Sequence, residues 1–226
     1  MNGQKEVDMT TNPRNPRTTE QLIRALESTS PSQRLQVAMA AGADPQPGDV
    51  PVLIGRAGVD PDFFVRDMLV WALLSHPADV TVPALIAELG SANPEARAQA
   101  LHALSKVGDP RGWPAVTDEF IASEDVEIAR AAWRAAVALV PDGGQEALAR
   151  RLATQLGRGD RGMRLSLGMA LLGLGEASRP VLDEVAAEGG RRARVHARAV
   201  LTMLDDPDTA FDDAVEEAKR VYALGE

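Results

Sequence analysis

One arginine returns along the chain at intervals of 30 to 34 residues. It occupies Arg34, Arg66, Arg97, Arg130, Arg164 and Arg194. Sequence periods of about 20–50 residues are typical of proteins that stack copies of one supersecondary unit. Because each unit buries its apolar face only against its neighbours, such a chain forms a solenoid with one long exposed surface. The period therefore predicts the architecture before any single helix is assigned.

The residues that follow the recurring arginine repeat as well. At the third, sixth and seventh places after it the chain is apolar or small in all six units, and five units have alanine at the sixth place. These alanines are Ala40, Ala72, Ala103, Ala136 and Ala170. Such spacings put side chains on one stripe of an α-helix. An alanine in that stripe suits a close approach of two helices, so the arginine is predicted to lie on a packed helix.

A further helix is predicted before each arginine-bearing helix. Residues 80–109 show this most clearly, because Gly90 can end one helix and Asn93 can cap the next, with Pro94 at its first position. The first helices of the units are predicted at 18–28, 49–57, 80–90, 112–122, 144–156 and 177–188. The second helices are predicted at 32–42, 62–75, 94–107, 125–140, 161–174 and 190–204.

This pattern resembles the HEAT repeat, in the short form found in bilin-lyase-like repeat proteins, over residues 18–206. That family has a proline in the first helix, an acid in the turn between the helices, and an arginine six residues later. Pro180, Glu188 and Arg194 reproduce the whole pattern. The acid is missing at Ser28, Ser91 and Arg158. The resemblance implies that the acids and the recurring arginines form a structural ladder between neighbouring turns.

The predicted fold class is all-α, an α-α superhelix. We expect a right-handed solenoid of about six HEAT-like hairpins with a C-terminal capping helix. The predicted division is a disordered N-terminal tail at 1–17, the repeat solenoid at 18–206 and an acidic amphipathic helix at 207–226. Seven acids and no base lie between positions 205 and 217, although apolar residues recur there at helical spacing. The helix before it is basic, so the acidic helix is either a cap or a mask whose deletion would strengthen anion binding.

The composition argues against most catalytic chemistry. There is no cysteine, and the three histidines lie in different units without a paired spacing. No phosphate-binding loop and no nucleophile elbow occurs, so neither a catalytic set, a metal site nor a cofactor is predicted. No run of about 20 apolar residues is present to span a bilayer, and the start lacks the apolar core of a signal peptide. We therefore expect a non-catalytic, cytoplasmic monomer that does not bind membranes.

The predicted binding surface is the concave face, which the second helices build. Methionine, aromatic and polar side chains fall on one stripe of these helices, and such side chains are frequent contacts for protein partners. The candidate partner-binding residues are Met68, Trp71, Gln99, His102 and Met169. Trp113 and Trp133 are expected in the core. The leading prediction is thus a scaffold or adaptor that binds another protein.

Two other functions stay open at this stage. Residues 146–200 contain ten arginines against six acids, although the whole chain has a formal net charge of −9. An anion or nucleic-acid site, as in HEAT-like DNA glycosylases, would use Arg191, Arg192 and Arg198. The resemblance to bilin-lyase-like proteins also allows a lyase-like helper that binds a cofactor. Phosphate binding weakens steeply as salt rises, and an apolar protein interface does not.

Overall fold

The structure, a computed structural model, describes residues 17–224. The predicted disordered tail lies outside this range except for Arg17, which forms an ion pair with Asp49. The described chain contains thirteen α-helices: α1 (Thr19–Leu26), α2 (Pro31–Ala43), α3 (Asp49–Ala57), α4 (Phe63–Leu73), α5 (Ala78–Glu88), α6 (Pro94–Val107), α7 (Asp118–Ile121), α8 (Val126–Leu139), α9 (Gln145–Ala153), α10 (Arg161–Gly173), α11 (Arg179–Glu188), α12 (Arg191–Asp205) and α13 (Phe211–Leu224). Short 3₁₀ helices occupy Pro110–Ala115 and Gly175–Ser178. No strand occurs between residues 17 and 224.

The helices form two layers. Consecutive helices pair as hairpins, and the even-numbered helices from α2 to α12 contact one another in sequence order. The odd-numbered helices from α1 to α11 form the other layer, with the 3₁₀ helix at Pro110–Ala115 lying between α5 and α8. The last helix, α13, packs on α12. The predicted all-α solenoid is confirmed by this packing.

Eleven of the twelve predicted repeat helices are present, with ends within three residues of the predicted ones. The prediction of one helix over 112–122 is wrong. The chain there forms the 3₁₀ helix Pro110–Ala115 and then α7, a single turn at Asp118–Ile121. The backbone is extended at Thr117, with a ψ of 166°, and this residue separates the two turns.

Trp133 on α8 is the largest of the fully buried side chains. It is 1% exposed, and its indole Nε1–H donates to the carbonyl oxygen of Ile121 on α7 at 3.0 Å. Because α7 has only one turn, this bond and the ring's packing hold the turn against α8. The alanine stripe of the repeat is buried beside it, as at Ala103 and Ala136, whereas Ala40 in the first unit is exposed.

In three of the units, the recurring arginine donates to the main-chain carbonyl of the residue six places before it. Nη1 of Arg66 donates to the carbonyl of Asp60 at 2.8 Å, and Nη1 of Arg97 donates to the carbonyl of Ser91 at 2.8 Å. Arg34 does the same to Ser28 at 2.9 Å. The acceptor always lies six residues earlier, at the family's acid position. Since the carbonyl accepts the bond, the contact forms at Ser28 and Ser91 without an acidic side chain.

The side chain of Asp60 links two units. It is 2% exposed, and Arg34 of the preceding unit donates to both of its oxygens, at 2.7 and 2.9 Å. Arg56 and the amide of Asp62 complete the carboxylate's hydrogen bonds, at 2.8 and 3.0 Å. The arrangement is a buried bidentate ion pair, which adds geometric specificity as well as energy.

Three recurring arginines depart from this contact. Arg164 donates to the carbonyl of Gly159, five residues earlier, at 2.6 Å. Arg130 donates to the hydroxyl of Ser166 at 2.9 Å and to Glu127 at 3.2 Å. The carbonyls of its own inter-helix turn are bound instead by Arg158 of the next unit, at 3.1 and 2.5 Å. Arg194 donates to the carbonyl of Ala186 at 3.1 Å. Because Arg158 satisfies that turn, Arg130 is left at the surface of the second-helix layer.

Candidate functional site

A groove of about 580 Å³ crosses the second-helix layer between α4, α6 and α8. Ala98 and Ala131, which are buried, lie among its lining residues, and Phe63, 63% exposed, lies at its α4 side. Small side chains on neighbouring helices leave space between the longer side chains of the flanking turns. The alanine-rich pattern therefore opens the groove as well as packing the core.

Most carboxylates that line the groove are paired with a cation. Arg66 lies 3.4 Å from Glu95, and Arg130 lies 3.2 Å from Glu127. Gln99 donates to Glu95 at 2.9 Å. These pairs are partly exposed, so each contributes about 0–1 kcal/mol to stability. Their main effect is to fix the side chains that border the groove.

Two cations line the groove without a carboxylate partner. Lys106 on α6 and Arg134 on α8 form no ion pair or hydrogen bond with any residue of the described range. Desolvation in the groove lowers the pKa of Arg134 from its ordinary value, and the neighbouring guanidinium of Arg130 lowers it further. Arginine stays charged at neutral pH even so. The described lining residues thus carry four positive charges against three negative ones, and Lys106 and Arg134 are the two cations without an ion pair.

His102 lies between these cations and Asp67. Its Nε2 is 3.9 Å from Asp67 Oδ1, and its side chain is 23% exposed. Burial lowers the pKa of His102, and the charges of Arg134 and Lys106 lower it further, against the opposing effect of Asp67. At neutral pH the ring is therefore uncharged, and it can donate or accept a hydrogen bond in the groove.

The predicted partner-binding residues do not form one cluster. Gln99 and His102 line the groove. Met68 is half-buried and packs on the core. Trp71 is 45% exposed and its ring covers Gly42 of α2, where an added Cβ would lie 2.3 Å from the ring. Met169 is 55% exposed on α10 and is not one of the residues that line the groove.

The sequence interpretation missed most residues of the groove, among them Phe63, Asp67, Lys106 and Arg134. One of them had a signal in the repeat. Four residues after the recurring arginine the other units have alanine, valine, leucine, glycine and, in the last unit, Arg198, whereas the fourth unit has Arg134. Most units have an apolar or small residue at this place, so a charged residue there indicates a side chain that points away from the core.

Four of the ten arginines of 146–200 form ion pairs with acids. Arg150 pairs with Glu184 at 2.9 Å, and Arg161 pairs with Asp212 at 2.5 Å. The other ion pairs of this stretch are Arg150–Glu146, Arg151–Asp118, Arg179–Glu176 and Arg179–Asp205. Of the three predicted anion-binding residues, Arg191 and Arg192 are exposed and Arg198 is half-buried. The acids therefore neutralise part of this basic stretch, and the exposed Arg191 and Arg192 lie outside these pairs.

His196 is a buried titratable group near the C-terminal end. It is 1% exposed, its Nδ1 accepts a hydrogen bond from the amide of Gly157 at 3.1 Å, and its ring meets Phe211 edge to face. Burial in this apolar setting lowers its pKa to about 4, and the Arg164 guanidinium adds to the effect while a contact with the Arg164 carbonyl opposes it. The ring is therefore neutral at pH 7, with its proton on Nε2.

We expect His196 to make the fold less stable as the pH falls from 6.5 to 4. In this window the unfolded chain takes up the imidazole proton and the folded chain does not, so stability is lost on the acid side. The loss at pH 4.5 is roughly 2–3 kcal/mol. His196→Asn keeps an acceptor for the Gly157 amide and cannot be protonated. Urea unfolding at pH 7 and pH 4.5 should show a smaller loss for the variant; an equal loss would assign the acid sensitivity to other groups.

Within residues 17–224, no group of three or more histidine and carboxylate side chains is placed to hold a metal ion. No described helix is both long and apolar enough to cross a membrane.

No protein-family model matches the chain, and no curated protein matches it. A crystal structure of an engineered protein matches 82% of this chain and 96% of its own, with 19% sequence identity and a TM-score of 0.47. The groove and its charged side chains are therefore the features that bear on function.

Proposed function

We propose that this protein is a non-catalytic, HEAT-like scaffold that binds an extended acidic segment of a partner protein in the groove. The observation that carries the proposal is the pair Lys106 and Arg134, two cations that line the groove without a described carboxylate partner. A carboxylate of the bound segment would supply that partner. A hydrogen bond to a charged group contributes about 1.5–3 kcal/mol. A cytoplasmic location and a monomeric state belong to the same proposal.

The groove matches a short stretch of extended chain. It crosses three helices, and packed helix axes lie about 8–10 Å apart, so it is roughly 16–20 Å long. An extended chain advances about 3.3–3.6 Å per residue, which corresponds to about five or six residues. Phe63 offers an apolar contact at one side, and the neutral ring of His102 offers a hydrogen bond. These features favour an acidic residue flanked by an apolar one.

The alternative functions have less support. A nucleic acid needs several uncompensated cations along its backbone, whereas Arg150 and Arg161 of the C-terminal region are paired with acids and the chain carries a net charge of −9. Such a charge repels a polyanion as a whole. A lyase-like helper has no observation in its favour among the described residues. The protein scaffold is thus the function that the geometry supports best.

A selection from a library of linear octapeptides on the immobilised protein tests the proposal. We expect the enriched peptides to contain an aspartate or glutamate next to an apolar residue. Arg134→Glu should then weaken binding of an enriched peptide by about tenfold or more, because it removes a charged hydrogen bond and adds repulsion. Fluorescence anisotropy with labelled peptide measures the change.

Arg220→Glu provides a matched control. It makes the same change of charge on α13, at a side chain that is 68% exposed and lies outside the groove lining. Binding should be unchanged in this variant. Enrichment of basic peptides, or an equal effect of the two substitutions, would contradict binding of an acidic segment in the groove.

A further inference from the structure

A second cavity lies at the C-terminal end of the solenoid. It has a volume of about 420 Å³ and is bordered by the loop before α10, by the first turns of α12 and by α13. Among the lining residues that lie within 17–224, four carry a positive charge and none carries a negative one. The four are Arg164, Arg191, Arg192 and Lys219. This cavity is separate from the groove and does not depend on the function proposed for the groove.

The cations of this cavity are only weakly engaged within the protein. Arg192 forms no ion pair or hydrogen bond with any described residue. Arg191 stacks on the ring of Tyr222, with its guanidinium carbon 5.4 Å from the ring centre. Lys219 pairs with Glu216 at 2.6 Å, but both side chains are more than half exposed, so the pair contributes little. The charges therefore remain available to a ligand.

The loop that borders the cavity is fixed against α12. Gly157 has a φ of +80°, and a Cβ at this position would lie 2.7 Å from the backbone of Arg192 and Ala193. The Gly157 amide donates to the buried Nδ1 of His196. Nη1 of Arg164 donates to the carbonyl of Gly159 at 2.6 Å. Because these contacts tie loop, helix and guanidinium together, the cavity is formed before any ligand arrives.

The first turn of α12 adds to the positive potential. Its N-cap is Gly190, which provides no side-chain acceptor for the first amides of the helix. Unpaired amides and the helix dipole favour an anion at such a terminus. Arg191 and Arg192 stand on this turn, so the amides and the guanidinium groups lie at the same end of the helix.

We propose that this cavity binds a small phosphate anion of the diphosphate or triphosphate type. Arginine matches the geometry of phosphate oxygens with paired N–H donors, and several cations around one cavity favour a ligand with more than one negative charge. The neighbouring Arg150, Arg161 and Arg179 are paired with acids. Arg191, Arg192 and Lys219 therefore lie together around one cavity, an arrangement that suits a compact anion.

The role of α13 follows from the same geometry. Val215 and Lys219 of this helix form part of the cavity lining. The acidic helix therefore contributes a cation to the site, while its Asp212 pairs with Arg161 outside the cavity. We expect Lys219→Ala to weaken anion binding, which is the opposite of what a masking helix would do.

Calorimetric titration of the full-length protein with pyrophosphate at low salt tests the proposal, and titration with ATP shows whether a nucleotide can present the same group. We expect both to bind, and Arg192→Ala to weaken pyrophosphate binding at least tenfold. Arg220→Ala removes the same charge from α13 outside the cavity and should have no effect. Circular dichroism checks that both variants fold.

Several results would overturn the assignment. Absence of pyrophosphate binding at millimolar concentration would do so, and so would ATP binding without pyrophosphate binding, because the affinity would then come from the base. Equal titrations for Arg192→Ala and Arg220→Ala would remove the cavity as the site. Tighter binding after Lys219→Ala would show that α13 opposes the anion. A single-stranded oligonucleotide that binds more tightly than pyrophosphate, without dependence on Arg192, would favour a nucleic-acid surface instead.

Discussion

Replacing Trp133 by alanine is expected to lower the free energy of unfolding by about 3–5 kcal/mol. The ring is 1% exposed, so its loss leaves a cavity between α8 and its neighbours. The substitution also removes the donor to the Ile121 carbonyl, which holds the single turn of α7. The other polar contacts of α7 lie at its two ends, where Arg151 pairs with Asp118 and Arg158 binds the carbonyls of Ala122 and Ser123. Urea unfolding followed by circular dichroism measures the loss.

Trp71→Ala is the matched control for this substitution. It removes the same side chain from α4, where the ring is 45% exposed. Its loss of stability should be at most about half that of Trp133→Ala, since less apolar area is returned to water. Trp133→Phe retains an aromatic ring without the N–H donor and should fall between wild type and Trp133→Ala. Equal losses for Trp71→Ala and Trp133→Ala would contradict the assignment of Trp133 as the core residue of this unit.

Replacing Asp60 by alanine is expected to cost about 3–5 kcal/mol of stability. Arg34 is 3% exposed, and its guanidinium would stay buried without the carboxylate that it now binds at both oxygens. Burial by itself would raise the pKa of Asp60, but the bonds from Arg34, from the Asp62 amide and from Arg56 outweigh it and lower the pKa. The contribution of Asp60 is thus present above pH 4 and is lost as the pH falls below the ordinary aspartate pKa.

Glu184→Ala provides the comparison for Asp60→Ala. Glu184 also joins two units through an arginine, Arg150, at 2.9 Å, but its side chain is 59% exposed. An exposed pair of this kind contributes about 0–1 kcal/mol. Unfolding of both variants at pH 7 should therefore separate them by about 2 kcal/mol or more. Similar losses would show that burial of the Arg34–Asp60 pair has no special weight in the fold.

The helices of this protein follow from local patterns. The recurring arginine sets the period, and the cap at Asn93 forms where the sequence predicts it, with Asn93 Oδ1 accepting from the amide of Glu95 at 3.1 Å. Such signals act over three or four residues, so they can be read without knowledge of the fold. The one failure is at 112–122, where the chain forms a 3₁₀ helix and a single α-helical turn with the extended residue Thr117 between them.

The candidate sites were less accessible to sequence interpretation. Gln99 and His102 were predicted, but Lys106 and Arg134, which supply the unpaired charges of the groove, were not. Whether a charged residue is paired depends on side chains from other units. Arg130 and Arg134 lie on one helix, yet only Arg130 has an acid and a hydroxyl within reach. Helical spacing gives the direction of a side chain but not the identity of its neighbour.

The sequence by itself determined the all-α solenoid, because a period of 30 to 34 residues and a helical stripe of apolar side chains are properties of the chain alone. Only the tertiary structure decided which charges remain without a partner. Arg34 reaches Asp60 across 26 residues, and Arg158 reaches Ser123 across 35. Stacking of the units brings these residues, which are far apart in the sequence, into contact. Among the described cations, Arg134 and Arg192 are left without a carboxylate partner after such pairing, and the two proposed binding sites are built around them.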